Sequence, residues 1–233
     1  MMFKKIVFGL TALFTFSAQA NVVIIGTRVI YPQDQKNIIV KLENNGKNAA
    51  LVQAWLDTGD QNADPKNIKT PFIITPPVSR VEAKSGQSLR ITYTGSQSLP
   101  QDRESLYYFN LLDIPPKPSA ERLAESPNFL QLAIRSRLKF FYRPSNLPIT
   151  VTDAYQAVKW IATPDGIKVS NQTPYYMSYV SAQINKTSVK DARMVAPFSE
   201  EVFHVSGARA GSKVTWNLIN DFGGDTIGES ILQ

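Results

Sequence analysis

Apolar side chains recur at every second position through much of this chain. Residues 36–43 set Val40 and Leu42 against Ile39, Lys41 and Glu43, and residues 88–93 set Leu89, Ile91 and Tyr93 against Ser88, Arg90 and Thr92. A period of two marks an extended strand with one buried face. Strands are predicted at 21–31 (interrupted by Gly26), 36–43, 50–57, 72–75, 80–82, 88–93, 104–112 and 128–142. A second series is predicted at 158–162, 167–170, 176–184, 201–205, 214–219 and 227–232. Turn residues separate them, among them Asn44-Asn45-Gly46, Pro76-Pro77, Lys84-Ser85-Gly86, Pro115, Pro116 and Pro118, and Pro164-Asp165-Gly166. No long capped helix stands out. Many short strands between turn signals predict an all-β chain built of sandwiches.

Two stretches break this texture. Residues 1–20 carry Lys4 and Lys5, an apolar run at 6–16 and the small-residue site Ala18-Gln19-Ala20, the layout of a secretory signal peptide. Removing them takes two lysines and no acid, so 233 residues become 213 and the net charge falls from +6 to +4. Residues 144–148 hold Pro144 and Pro148 and read as a stiff linker. The expected organisation is therefore a signal at 1–20, an N-terminal sandwich at 21–143, the linker at 144–148 and a smaller C-terminal sandwich at 149–233.

Candidate chemistry is sparse. The chain has no cysteine, which excludes thiolate metal sites, a cysteine nucleophile and an intersheet disulfide. His204 is the only histidine and sits in the alternating run EVFHV, which favours a structural role. One histidine without cysteine builds no metal centre. There is no G-x-S-x-G elbow and no glycine-rich phosphate loop. The adjacent Glu200 and Glu201 read as solvated surface, and Asn171-Gln172-Thr173 reads as a turn before Pro174. The basic residues are scattered, which argues against nucleic acid as a partner. No enzyme, cofactor or metal is indicated.

Residues 128–142, NFLQLAIRSRLKFFY, combine an apolar row with cations. Leu130, Leu132 and Ile134 lie two apart; Arg135, Arg137 and Lys139 follow, then Phe140, Phe141 and Tyr142. Two arrangements satisfy this pattern: a half-buried core strand, or an edge that receives a strand from another chain. Lys139 is out of phase with the apolar row, so a straight strand sets them on opposite faces. A bulge or a change of environment between Ile134 and Lys139 is expected to reconcile them.

Several motifs carry a family resemblance. They are ITPPVSR at 74–80, LPQDRESLYYFNLLDIPP at 99–116, LKFFYRP at 138–144, TPYYMSYV at 173–180 and NDFGG at 220–224. Together they resemble the PapD-like periplasmic chaperones of chaperone–usher pilus assembly, over nearly the whole chain and in the family's order. The resemblance implies two immunoglobulin-like β-sandwich domains in a boomerang arrangement with a cleft between them. It implies a periplasmic chaperone that binds, folds and caps pilus subunits by donor-strand complementation and passes them to an outer-membrane usher. Arg28, in GTRVIY, and Lys139, in LKFFYRP, match the family's cleft cations that hold the subunit's C-terminal carboxylate. Leu130, Leu132 and Ile134 match the donated apolar row, and Glu104, Arg143 and Asp221 match a charge cluster between the domains. Arg135 and Arg137 point to acidic subunits, and the short loop 117–127 resembles the class that serves rod-like pili. Some relatives carry a cysteine pair in the second domain, which this chain lacks. The free protein has the option of capping its own edge as a dimer. The alternative class is a secreted two-domain β-sandwich that binds at a cell surface.

Overall fold

The computed structural model describes residues 22–117 and 131–233; the expected signal peptide, Leu130 and most of the 117–127 loop lie outside them. The first half contains β1 (Val22–Ile24), β2 (Arg28–Pro32), β3 (Ile38–Asn44), β4 (Ala50–Asp57), β5 (Phe72–Thr75), β6 (Val78–Val81), β7 (Gly86–Tyr93), β8 (Ser105–Ile114) and β9 (Ile134–Arg143). These form a four-stranded sheet, β1-β3-β7-β5, and a five-stranded sheet, β2-β9-β8-β4-β6. All the pairings are antiparallel except β2 with β9, which run parallel.

Alternation decides what lies between the sheets. In β4, Ala50, Val52, Ala54 and Leu56 are buried while Leu51 is exposed. Tyr107, Phe109 and Leu111 of β8 and Phe140 and Tyr142 of β9 enter the same core. The single strand expected at 21–31 is two strands in different sheets: β1 pairs with β3, and β2 crosses over to β9. The break falls at Gly26, whose φ of 116° is a conformation that only glycine adopts without strain.

The second half begins with α1 (Val151–Ala157), followed by β10 (Lys159–Thr163), β11 (Gly166–Asn171), β12 (Met177–Ile184), β13 (Thr187–Ser188), β14 (Met194–Val195), β15 (Ser199–His204), β16 (Lys213–Ile219) and β17 (Asp225–Ile231). One sheet has the order β10-β11-β15; the other runs β13-β12-β16-β17, with β14 also paired to β12. Trp160, Ile167, Tyr179, Phe203 and Trp216 fill a separate core that shares no buried residue with the first. The alternation pattern missed the helix and the two-residue strands β13 and β14. Thr150 caps the helix by accepting the Asp153 amide at 3.2 Å, and Ala154 is buried in the core. Seven residues are too few to display a helical period, so only the Thr150-x-x-Asp153 spacing signalled it.

Candidate functional site

Strand β9 links everything that the sequence singled out. It starts at Ile134, and residues 131–133 are irregular, so the strand is shorter than the expected 128–142. Its pairing with β8 runs without a register shift from Asp113↔Ile134 to Ser105↔Tyr142. There is no bulge between Ile134 and Lys139; the two do occupy opposite faces. What changes along the strand is its cover. Phe140 and Tyr142 are fully buried, Ile134 on the same face is 40% exposed, and Leu132 just before the strand is 65% exposed.

The edge changes in the same way. Strand β2 covers only residues 139–143 of β9, through the register Arg28↔Lys139 to Pro32↔Arg143. Among the described residues no strand pairs with 134–138 on the side away from β8. That half of β9 therefore presents a free hydrogen-bonding edge beside two exposed apolar side chains.

The parallel register sets Arg28 and Lys139 side by side on the outer face of the five-stranded sheet. The Lys139 ammonium donates to the Ser178 hydroxyl of β12 at 3.2 Å, so the cation pair lies where the two sandwiches meet. The Arg28 guanidinium stands 5.7 Å from the centre of the Phe141 ring, which packs 5.5 Å from the Tyr176 ring. Among the described residues neither cation makes an ion pair, and Arg28 Nε is buried without a hydrogen-bond partner. Burial holds both below their ordinary pKa values, and for Lys139 the neighbouring Arg28 charge adds to this. Asp221 and Glu104 act on Arg28 from a distance, but two adjacent, partly desolvated cations without a direct ion pair can accept an anion.

The charge cluster spans the same junction. Arg143 donates to Glu104 at 2.8 Å and, through two nitrogens, to Asp221 of the second sandwich at 2.5 and 2.9 Å. Glu104 also accepts the Tyr176 amide at 2.8 Å, and its own amide donates to the Pro174 carbonyl at 2.9 Å. Burial pushes the Glu104 carboxyl up, against Arg143 and the Tyr176 amide; Arg143, held up by both carboxylates despite its burial, stays protonated. Because an arginine does not release its proton here, the buried carboxylate keeps a permanent counter-ion. The 221–224 turn approaches the first sandwich so closely that a Cβ at Gly223 would lie 2.2 Å from Thr27 Oγ1, and its φ of 82° also requires glycine.

Arg135 and Arg137 do not point toward an outside acid. Both are engaged by Asp57 at the end of β4 and by its surroundings. Sequence reading overlooked Asp57 and Asn110. Their signal is a polar residue inside an apolar strand, in AWLD and YYFNLL, each buried here. His204 is exposed, and its Nδ1 lies 2.6 Å from Asp191, whose carboxylate also takes the His204 amide. Among the described residues no group of three or more His, Asp or Glu could hold a metal, and no helix is long and apolar enough to cross a membrane.

The chain thus consists of two sandwiches joined by a buried ionic cluster, with an open strand edge leading into a cation pair. Residues 21–148 match the family described as pili and flagellar-assembly chaperone, PapD N-terminal domain, and residues 153–230 match the pili assembly chaperone PapD, C-terminal domain. The chain belongs to this family of pilus-assembly chaperones. It is 61% identical over 237 residues to the chaperone protein HifB of Haemophilus influenzae, covering 100% of this chain and 98% of that one. The crystal structure of the YadV chaperone superposes with a TM-score of 0.77 at 44% identity, over 91% of this chain and 100% of that chain. The Salmonella enterica SafB chaperone, solved with the SafA pilin, superposes with a TM-score of 0.78 at 28% identity, over 91% and 96% of the two chains.

The ionic hinge makes a prediction. Arg143→Ala leaves Glu104 and Asp221 facing each other without a counter-ion. Breaking a buried pair from one side costs on the order of 3 kcal/mol, so thermal unfolding should begin earlier. Small-angle scattering should show a broader range of shapes. Unchanged melting and an unchanged scattering profile would show that the cluster does not bridge the two sandwiches.

Proposed function

We propose that this protein is a periplasmic chaperone that captures pilus subunits by lending them a strand and delivers them to an outer-membrane usher. The two sandwiches, residues 21–143 and 149–233, flank the site, with 144–148 as the hinge. The observation that carries the reading is the cation pair Arg28 and Lys139, lying beside each other without an ion-pair partner among the described residues where the open half of β9 begins.

A chain that ends at this pair presents a carboxylate to two cations, a charge-assisted hydrogen-bonding arrangement. The residues before that terminus then run along the free edge of β9, where main-chain pairing fixes their register. Leu132 and Ile134 enter the open core of a subunit that lacks one strand. Burying each contributes roughly 1.5–3 kcal/mol before the ordering cost of association. The usher exchanges this lent strand for one from the next subunit, so neither hydrolysis nor a cofactor is needed. Without a subunit, the same edge is open to a second copy of the chain.

Co-purification from a periplasmic extract tests the reading directly: the wild-type chain should bring down pilus subunits, and their absence would overturn it. For the anchor, Arg28→Ala and Lys139→Ala should each stay folded and each weaken capture roughly ten- to hundredfold. Their combined loss should be less than additive, because both act on one carboxylate. Amidating the C-terminus of a peptide with the subunit's terminal sequence should weaken its binding to the wild type and barely affect the double variant. Equal loss in both would mean that these cations do not hold the carboxylate.

A pH dependence follows from the lowered pKa of free Lys139. A bound carboxylate favours the charged lysine and raises that pKa. Binding should therefore take up protons at alkaline pH, and affinity should fall as pH rises through the depressed value. Calorimetry in buffers of different ionisation enthalpy measures this uptake, which should vanish in Lys139→Ala.

The donated row is tested by Leu132→Glu. An exposed position should accept the charge without unfolding, whereas subunit capture should be lost. A variant that itself unfolds would assign Leu132 to the chaperone's own core.

A further inference from the structure

The exposed half of β9 poses a physical problem. Among the described residues, 134–138 are hydrogen-bonded on one side only, and Ile134 is half uncovered. A strand end with so little cover belongs to the least stable parts of a fold and is expected to fray. Pairing the other edge would hold it, but would also consume the groups that a partner needs.

The odd-numbered face of the strand carries a different restraint. Arg137 grips Asp57 with two nitrogens, Nε to Oδ2 at 3.0 Å and Nη2 to Oδ1 at 2.6 Å, and Nη2 also donates to the Gly59 carbonyl at 3.0 Å. Arg135 donates to Asn110 Oδ1 through Nε at 2.9 Å and Nη2 at 2.7 Å, reaches the Gln61 carbonyl through Nη1, and comes within 3.5 Å of Asp57 Oδ2. Asn110 of β8 passes the connection on, its Nδ2 lying 2.7 Å from Asp57 Oδ2, and the Gly59 amide closes the turn on Oδ1 at 2.7 Å. The Arg137 guanidinium stacks 3.6 Å from the Tyr108 ring centre, and that of Arg135 lies 5.1 Å from Trp55. Three strands, β9, β8 and β4, are thus tied through their outer face.

We propose that Asp57 is a positioning residue for the donor edge, holding residues 134–138 through Arg135 and Arg137 as a straight, pre-formed strand before any subunit arrives. The reading rests on the donor role proposed above for that edge, but it concerns the free protein. Asp57 is 1% exposed. Burial pushes its carboxyl up, yet the bonds from Arg137, Asn110 and the Gly59 amide hold it below the usual carboxylate range, so it is ionised at neutral pH. If β9 peels away, both arginines leave and the charge-assisted bonds to Asp57 are lost. The restraint acts through side chains on one face, so the backbone edge and the apolar face stay free. A pre-formed edge also spares the complex the entropy of ordering it.

Hydrogen exchange on the free, full-length protein tests this. In Asp57→Asn and in Arg137→Gln, those amides of residues 134–138 that are bonded to β8 should exchange roughly tenfold faster or more, the scale of losing hydrogen bonds to a charged group. Residues 139–143, paired on both sides, should keep their protection. Arg137→Lys retains the charge but lacks the two-pronged geometry, and should fray like Arg137→Gln. A peptide ending in a free carboxylate should still bind Asp57→Asn through Arg28 and Lys139, but more weakly than the wild type, because the edge it pairs with must first be ordered. The subunit recovered by co-purification should associate more slowly with Asp57→Asn. Unchanged exchange at 134–138 in the variants would overturn the proposal, as would exchange that rises equally throughout the sheet. Should Asp57→Asn fail to fold, Arg137→Gln decides the matter from the solvent side of the contact. Failure of the carboxylate peptide to bind even the wild type would count against the anchor reading and leave the exchange result standing.

Discussion

A β-strand has two edges and two faces, and a folded chain normally satisfies all four. Strand β9 does so only over its second half. From Lys139 to Arg143 it has β8 on one side and β2 on the other, with Phe140 and Tyr142 in the core. From Ile134 to Leu138 no described strand pairs with one edge, and the core face loses its cover. The transition is produced by the neighbours, since β9 itself is regular throughout. Strand β2 is short and begins at Arg28, and β1, the preceding piece of the same segment, has been diverted to the other sheet at Gly26. The open edge and the cation pair are thus consequences of one event, the sheet change at Gly26.

Electrostatics then divides the outer face of that sheet into three parts along β9. Near its start, Arg135 and Arg137 are neutralised in part by Asp57. At its end, Arg143 is neutralised by Glu104 and Asp221. Between them Arg28 and Lys139 make no ion pair among the described residues, although Asp221 and Glu104 act on Arg28 from a distance. The two neutralised clusters bridge separate elements, the first β9, β8 and β4 and the second the two sandwiches. The unneutralised pair has no structural task of that kind, and burial without a counter-ion is unfavourable for it. A site that opposes its own surroundings in this way is expected where a ligand completes it.

Much of the architecture was legible because period-two patterning is a local property. Of the strands in the second sandwich, β10, β11, β12, β15, β16 and β17 fall within two residues of the stretches read from alternation and turn residues. The short β13 and β14 and the helix α1 were not, because two to seven residues carry too little pattern. The family's motifs were legible for the same reason: they are contiguous runs.

Other features depend on separation in sequence. The segment 21–31 reads as one strand because its composition is uniform; only three-dimensional competition between two sheets assigns its halves differently. Whether Leu132 and Ile134 belong to a core or an exposed edge is undecided in the sequence, since alternation reports a face and not what covers it. Asp57 and Arg137 lie 80 residues apart, and Arg143 and Asp221 lie 78 apart. No local pattern relates a carboxylate to an arginine at that distance, because the relation arises only when strands are set side by side. The sequence by itself determined the strands, the faces and the family. The tertiary structure decided which edge is open among the described residues, which charges are paired and which are not, because pairing and cover are properties of neighbours that the chain supplies from far away.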